Sequence, residues 1–203
     1  MEIILLRHGK TEGNLSRRYA GRTDEPLCGE GRRHAYETGV APGVASVIVS
    51  PMKRALETAR IKFPNAVFTV CEDLREMDFG DFEGRTADEM EADADYRSWV
   101  GGNCRGRCPN GDSLDEFNMR AQEAFDRLVR DAVKRGEKRL IIVAHGGTIM
   151  SILDRYAVPA MQYYTFYVDN CCGYRAWLDD GSWETVPCLT DYEKFEILAE
   201  SLQ

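Results

Sequence analysis

The sequence predicts a three-layer α/β/α sandwich with a mainly parallel central sheet and an antiparallel edge hairpin, in one domain of 203 residues. Ile3–Leu6, Val47–Val49 and Leu140–Val143 are continuous apolar runs, the pattern of strands buried on both faces. Each is followed, directly or after a longer connection, by a helix signal, so helices are expected on the sheet's faces. Beyond residue 160 the pattern changes to strand-like stretches around a turn, which reads as a hairpin at a sheet edge.

Taken in order, Ile3–Leu6 opens the sheet and Val47–Val49 continues it. Ser50-Pro51 supplies an N-cap and a first-turn proline for a helix over Met52–Lys62. Val67–Val70 is strand-like. Thr86-x-x-Glu89 and Ser113-x-x-Glu116 are capping boxes, and the acidic cluster Glu89–Asp95 reads as a solvated helix face. The second box opens the longest helix, with Leu114, Phe117, Ala121, Ala124, Leu128 and Ala132 at three- or four-residue spacing until Gly136. Leu140–Ala144 is the next strand. Tyr163–Val168 and Tyr174–Leu178 read as strands, with Asp179-Asp180-Gly181 turning into Trp183–Val186 and a short helix over the last dozen residues. Residues 13–31 and 100–112 lack periodicity, and loops that long in a compact domain are usually functional.

Composition narrows the class. Apolar residues make up 43% and charged residues 30%, which is ordinary for a globular chain and unlike a disordered one. No apolar run approaches the roughly 18 residues of a membrane helix. Strand-like Glu2–Leu6 runs straight into Arg7, where a secretion signal would keep an apolar core. The expectation is a cytoplasmic protein without membrane contact. A net charge of −8 argues against a nucleic-acid partner. That charge is uneven: residues 1–60 carry ten Lys+Arg against seven Asp+Glu, and residues 61–203 sixteen against twenty-seven. A cationic opening third suggests a local anion site. Seven cysteines without a C-x-x-C pair, and three histidines, give no zinc spacing. Reduced thiols, no metal and no cofactor are expected.

Histidines and arginines gather at strand ends. Arg7-His8-Gly9 follows the first strand, Arg54 lies in the first turn after the second, and His145-Gly146-Gly147 follows Leu140–Ala144. In a parallel sheet, ligands bind beyond the strands' carboxyl ends. Two guanidiniums, two imidazoles and free helix-start amides suit phosphoryl transfer. A neutral imidazole attacks, a second, protonated one stabilises the equatorial oxygens, and the built-in cations replace a metal. An acid must then protonate the leaving alkoxide.

Five blocks in order resemble the histidine phosphatase (phosphoglycerate mutase-like) superfamily. They are Arg7-His8-Gly9 with Thr11 and Asn14; Gly21-Arg22-Thr23-Asp24 with Pro26-Leu27; Ser50-Pro51 with Arg54-Ala55 and Thr58-Ala59; Leu74–Gly80 with Glu83-Gly84; and Ala144–Gly147. The details are similar to the small phosphatase branch, and the Leu74–Gly84 block resembles α-ribazole phosphatases. The resemblance implies His8 as the phosphorylated nucleophile, Arg7, Arg54 and His145 as the phosphate pocket, and Glu76 as proton donor. It implies substrate contacts from Asn14, Thr11, Gly21 and Gly146. A small phosphorylated metabolite is the expected partner, and the oligomeric state is left open. Ala20 stands where many relatives carry a polar residue, and Asp112 replaces a glutamate in a segment otherwise like the family's. The 36 residues from Met77 to Asp112 are too few for the insertion that shapes a mutase pocket, which favours phosphomonoester hydrolysis over a mutase, and the presence of Arg7, His8, Arg54, Glu76 and His145 together disfavours a silent phospho-ligand binder.

Overall fold

The computed structural model describes residues 1–179 and 181–198. Six strands form one sheet in the order β3-β2-β4-β1-β5-β6. Strands β1 (Glu2–Arg7), β2 (Ser46–Val49), β3 (Val67–Val70) and β4 (Arg139–Ala144) run parallel to their neighbours among these four, while β5 (Gly173–Trp177) and β6 (Asp191–Phe195) are antiparallel. This is the α/β architecture read from the sequence, with its antiparallel edge.

Alternation along β1 sorts the two faces. Ile3 and Leu5 enter one core with Phe125 and Val129 of α5 (Leu114–Lys134) and Ile149 and Ile152 of α6 (Gly146–Tyr156). Ile4 and Leu6 enter the other with Ala55, Ala59 and Phe63, from α3 (Lys53–Lys62) and its C-terminal cap. Two further helices, α1 (Glu12–Leu15) and α2 (Gly29–Glu37), arise within and just beyond the segment that lacks periodicity. A third cluster joins Met77, Phe82, Trp99 and Phe117, and includes Tyr96 of α4 (Ala94–Gly101).

Several elements differ from the sequence expectation. Helix α3 starts at Lys53 with Met52 as its cap, because the Ser50 hydroxyl turns to His145 instead. The Thr86–Glu89 box forms its reciprocal bonds at 3.1 and 3.0 Å, yet opens only the 3-10 turn Asp88–Met90. Tyr163–Phe166 is a 3-10 turn rather than a strand, since three-residue spacing sends Tyr163 to a cavity and Phe166 into the core. The hairpin's second strand is Asp191–Phe195, not Trp183–Val186. Trp183 is buried against Phe125 and Tyr156, with its indole donating to Asp126 at 2.9 Å, which removes that stretch from the sheet. Strand β6 also takes the start of the stretch expected as a terminal helix, as far as Phe195, and Leu198 is helical. Asp180 and residues 199–203 lie outside the described residues.

Candidate active site

The register of the parallel strands builds the site. Arg7 pairs with Ala144, and Val49 with Val143, so the residues that follow, His8, His145 and Ser50, lie in a row beyond one sheet edge. The His8 amide donates to the Ala144 carbonyl and the Ser50 amide to the Val143 carbonyl, both at 3.0 Å. The two imidazoles meet edge to face with centroids 5.1 Å apart.

One tautomer is fixed by its partner, and the other follows from the direction of a hydroxyl. His8 Nδ1 lies 2.7 Å from the Gly9 carbonyl, which only accepts, so Nδ1 carries the hydrogen and the Nε2 lone pair is free. His145 Nε2 lies 2.7 Å from the Ser50 hydroxyl; with Ser50 donating, the His145 hydrogen sits on Nδ1. Burial, then the Arg54 guanidinium, holds both rings well below the ordinary imidazole range. Burial and the neighbouring guanidiniums thus favour the neutral form of both imidazoles, including the second one, for which a protonated form is expected in phosphoryl transfer. Burial and the charges of Arg54 and Arg7 are what disfavour that proton.

Arg54, 1% exposed, does not spend its terminal nitrogens on a carboxylate. Nη1 donates to the Thr23 carbonyl at 2.7 Å, and Nη2 to those of Gly21 at 2.8 Å and Ala20 at 3.2 Å. Glu83 holds that loop from its other side. Its carboxylate accepts from the amides of Gly21, Arg22 and Thr23 at 2.9, 2.8 and 3.1 Å and from the Thr23 hydroxyl at 2.6 Å. Only glycine fits at 21, since a Cβ there would lie 1.7 Å from the Met77 carbonyl oxygen. Arg7 Nη1 donates to the Val168 carbonyl at 2.7 Å. Of the buried nitrogens with no partner among the described residues, three belong to this site: Arg7 Nε, Arg54 Nε and His145 Nδ1.

Glu76 joins the site beside the start of α6. Its carboxylate accepts from the Gly147 amide at the start of α6 at 2.9 Å and from the Met77 amide at 3.0 Å. A Cβ at Gly147 would sit 2.3 Å from Glu76 Oε1, so glycine makes room for the carboxylate. Arg120 of α5 braces this segment through the carbonyls of Asp73, Arg75 and Glu76 at 3.0, 2.8 and 3.2 Å.

A cavity of about 400 Å³ opens over the row, with Arg7, His8, Asn14, Glu76, Gly146 and Gly147 in its wall. Arg54 and His145 are not in that wall, although Arg54 acts electrostatically on both imidazoles and His8 acts on His145. Two expected substrate contacts are not brought there. Thr11 is buried, donating to Glu25 at 2.7 Å and capping α1, and the Gly21 amide is committed to Glu83. Asn14 uses its Oδ1 on the Thr11 amide and on Asn170. Sequence reasoning missed Ser50 as a partner of His145, Arg120 as a brace, and Asn170, which donates to the His8 carbonyl at 3.0 Å. Arg120 carries a weak signal, a charge directly beside the apolar stripe of α5; Asn170, in irregular chain, carries none.

Comparison with known proteins bears on this arrangement. A probable phosphoglycerate mutase GpmB from Enterobacter sp. strain 638 is 30% identical over 194 residues, covering 90% of this chain and 87% of that one. An uncharacterized phosphatase PhoE from Bacillus subtilis is 32% identical over 179 residues, 84% of each chain. The crystal structure of a candidate α-ribazole-5′-phosphate phosphatase from Escherichia coli K-12 superposes with a TM-score of 0.76 at 25% identity, covering 87% of this chain and 89% of that one. The profile of the histidine phosphatase superfamily (branch 1) matches residues 3–188, and the chain belongs to that family.

Proposed function

We propose that this protein is a metal-independent phosphomonoester hydrolase that forms a phosphohistidine on His8, with a small phosphorylated metabolite as substrate. The observation that carries the proposal is the set of three unpartnered buried nitrogens, two of them guanidinium donors, around a histidine whose Nε2 lone pair is free. Burying polar nitrogens without partners is costly, and a dianionic phosphoryl group would satisfy all three. Guanidinium charge already present at the site does the work that a metal does elsewhere.

In the first step, His8 Nε2 attacks phosphorus and the P–O bond to the alcohol breaks. The bonding electrons go to the leaving oxygen, which takes a proton from the Glu76 carboxyl. In the second, water gives its proton to the Glu76 carboxylate as its oxygen attacks phosphorus, and the P–N bond breaks to regenerate His8. The amides of Gly147 and Met77 keep Glu76 aimed at the cavity throughout. The Escherichia coli likeness makes α-ribazole 5′-phosphate one candidate substrate. A mutase is the second reading, supported by the name of the Enterobacter relative.

Rapid quench of the wild type with a phosphomonoester should trap an acid-labile, alkali-stable phosphoprotein, and His8→Ala should lose turnover by several orders of magnitude. Chelators should leave activity unchanged, and phosphate and vanadate should compete with substrate. Appreciable hydrolysis by His8→Ala would overturn the nucleophile. Phosphoryl transfer to a second phosphoglycerate without phosphate release would establish the mutase.

A further inference from the structure

Much of the cavity wall is aromatic. Tyr19, Phe79, Trp99, Phe117, Tyr163 and Tyr164 all line it, contributed by separate parts of the chain. Tyr19 lies edge-on to Phe79 and Trp99, with centroids 5.1 and 5.8 Å apart. Their polar tips are already engaged. The Tyr19 hydroxyl pairs with that of Tyr96 at 3.0 Å, and the Trp99 indole donates to the Gly106 carbonyl at 3.1 Å. Tyr163 and Tyr164 donate to the carbonyls of Gly147 and Asn103, both at 3.4 Å. Ring carbon is what these residues have left to offer a ligand.

Positive charge in the wall is equally committed. Among the described residues that line the cavity, the cationic side chains are Arg7 and Arg18, with the imidazole of His8 beside them. Arg7 belongs to the phosphate end. Arg18 grips Glu89 with both terminal nitrogens, at 2.8 and 3.0 Å, and also donates to the Gly84 carbonyl. Ala20, half-buried in the same wall, contributes only a methyl group.

We infer that the substrate's alcohol is a flat aromatic or otherwise apolar body carrying one phosphate, and that alcohols bearing a second anion are rejected. This rests on the phosphohydrolase reading above and narrows it. An apolar body gains by leaving water against these rings. A carboxylate would lose its hydration with no free cation to meet it. α-Ribazole 5′-phosphate falls inside this class, and phosphoglycerates and phosphoserine fall outside it.

The test pairs a binding arm with a turnover arm. Naphthylethyl and carboxyethyl phosphonates, which cannot be cleaved, are titrated calorimetrically, and the matching alkyl phosphates, with similar leaving groups, are compared by kcat/KM. The naphthyl member should be favoured about tenfold or more in both arms. Ala20→Lys, which adds a cation without removing an aromatic residue, should shift the ratio about tenfold toward the carboxylated member. Trp99→Ala should erode the naphthyl preference. Equal affinities, or a preference for the carboxylated phosphonate, would overturn the inference whether or not either ester turns over. A naphthyl preference without any hydrolysis would uphold the pocket and sink the hydrolase reading.

Discussion

Glu76 and Glu83 stand seven residues apart on one stretch of chain and take opposite parts. Glu76 faces the cavity, whereas Glu83 is turned to the 21–23 backbone and shapes the loop that Arg54 grips. The first part is tested by leaving group. An alkyl phosphate expels an alkoxide that needs a proton, whereas p-nitrophenolate leaves almost unaided. Glu76→Gln should therefore lower kcat on an alkyl ester by about 100-fold or more and much less on p-nitrophenyl phosphate. Equal losses on the two esters would make Glu76 a positioning residue instead. Glu83→Gln keeps the size and removes the charge that four donors of one loop share. KM and the inhibition constant for inorganic phosphate should rise together by about tenfold, about 1.4 kcal/mol of phosphate grip, with kcat less affected. A fall confined to kcat would show that Glu83 does not act through Arg54.

Two capping boxes with the same local bonds lead to different elements. Ser113 and Glu116 open a 21-residue helix, α5, because Leu114, Phe117, Ala121, Ala124, Phe125, Val129 and Ala132 follow on one buried face. After Thr86 and Glu89 comes no such stripe, and Asp93 starts a new helix instead. A cap contributes about 1 kcal/mol, too little to hold a helix that has nothing to pack against. Ser113→Ala should lower unfolding free energy by about 1 kcal/mol, or about 2–4 °C in Tm, read by denaturant or thermal melts. An unchanged melt would mean that the box adds nothing to α5. The same helix delivers Arg120 to the Glu76 segment, so one element serves both core and site.

For the whole molecule, the site carries a pH liability. The folded protein holds His8 and His145 well below 6.5, while in the unfolded chain both return to about that value. Below pH 6.5 the unfolded state then binds more protons than the folded one, so stability falls as pH falls. The slope should approach about 1.4 kcal/mol per pH unit for each histidine. Glu30, Glu89, Asp93 and Glu116 are held below their ordinary values by ion pairs or hydrogen bonds, so their stabilisation is lost only at lower pH. Urea midpoints at pH 7 and 5.5 should differ in the wild type. The difference should shrink in a His145→Gln variant and in the presence of saturating phosphate, which favours the charged rings. A flat wild-type midpoint would refute the burial argument.

Strands β1 to β5, the long helix and the gathering of Arg7, His8, Arg54 and His145 at strand ends were legible in the amino-acid sequence, whereas β6 was not. Those signals are local: apolar runs, caps, and motif residues placed directly after a strand. Side-chain partnership was not legible, because periodicity tells which residues are buried and not what each one meets. Tertiary register put Ser50 on His145, turned the Arg54 terminal nitrogens onto the 20–23 carbonyls, and removed Thr11 and Gly21 from the cavity. It also drew Tyr19, Phe79, Trp99 and Tyr163 from distant parts of the chain into one aromatic wall. The chemistry at the phosphate end rests on residues fixed by neighbours along the chain, while the shape that would choose a substrate arises from contacts that exist only once the chain has closed on itself.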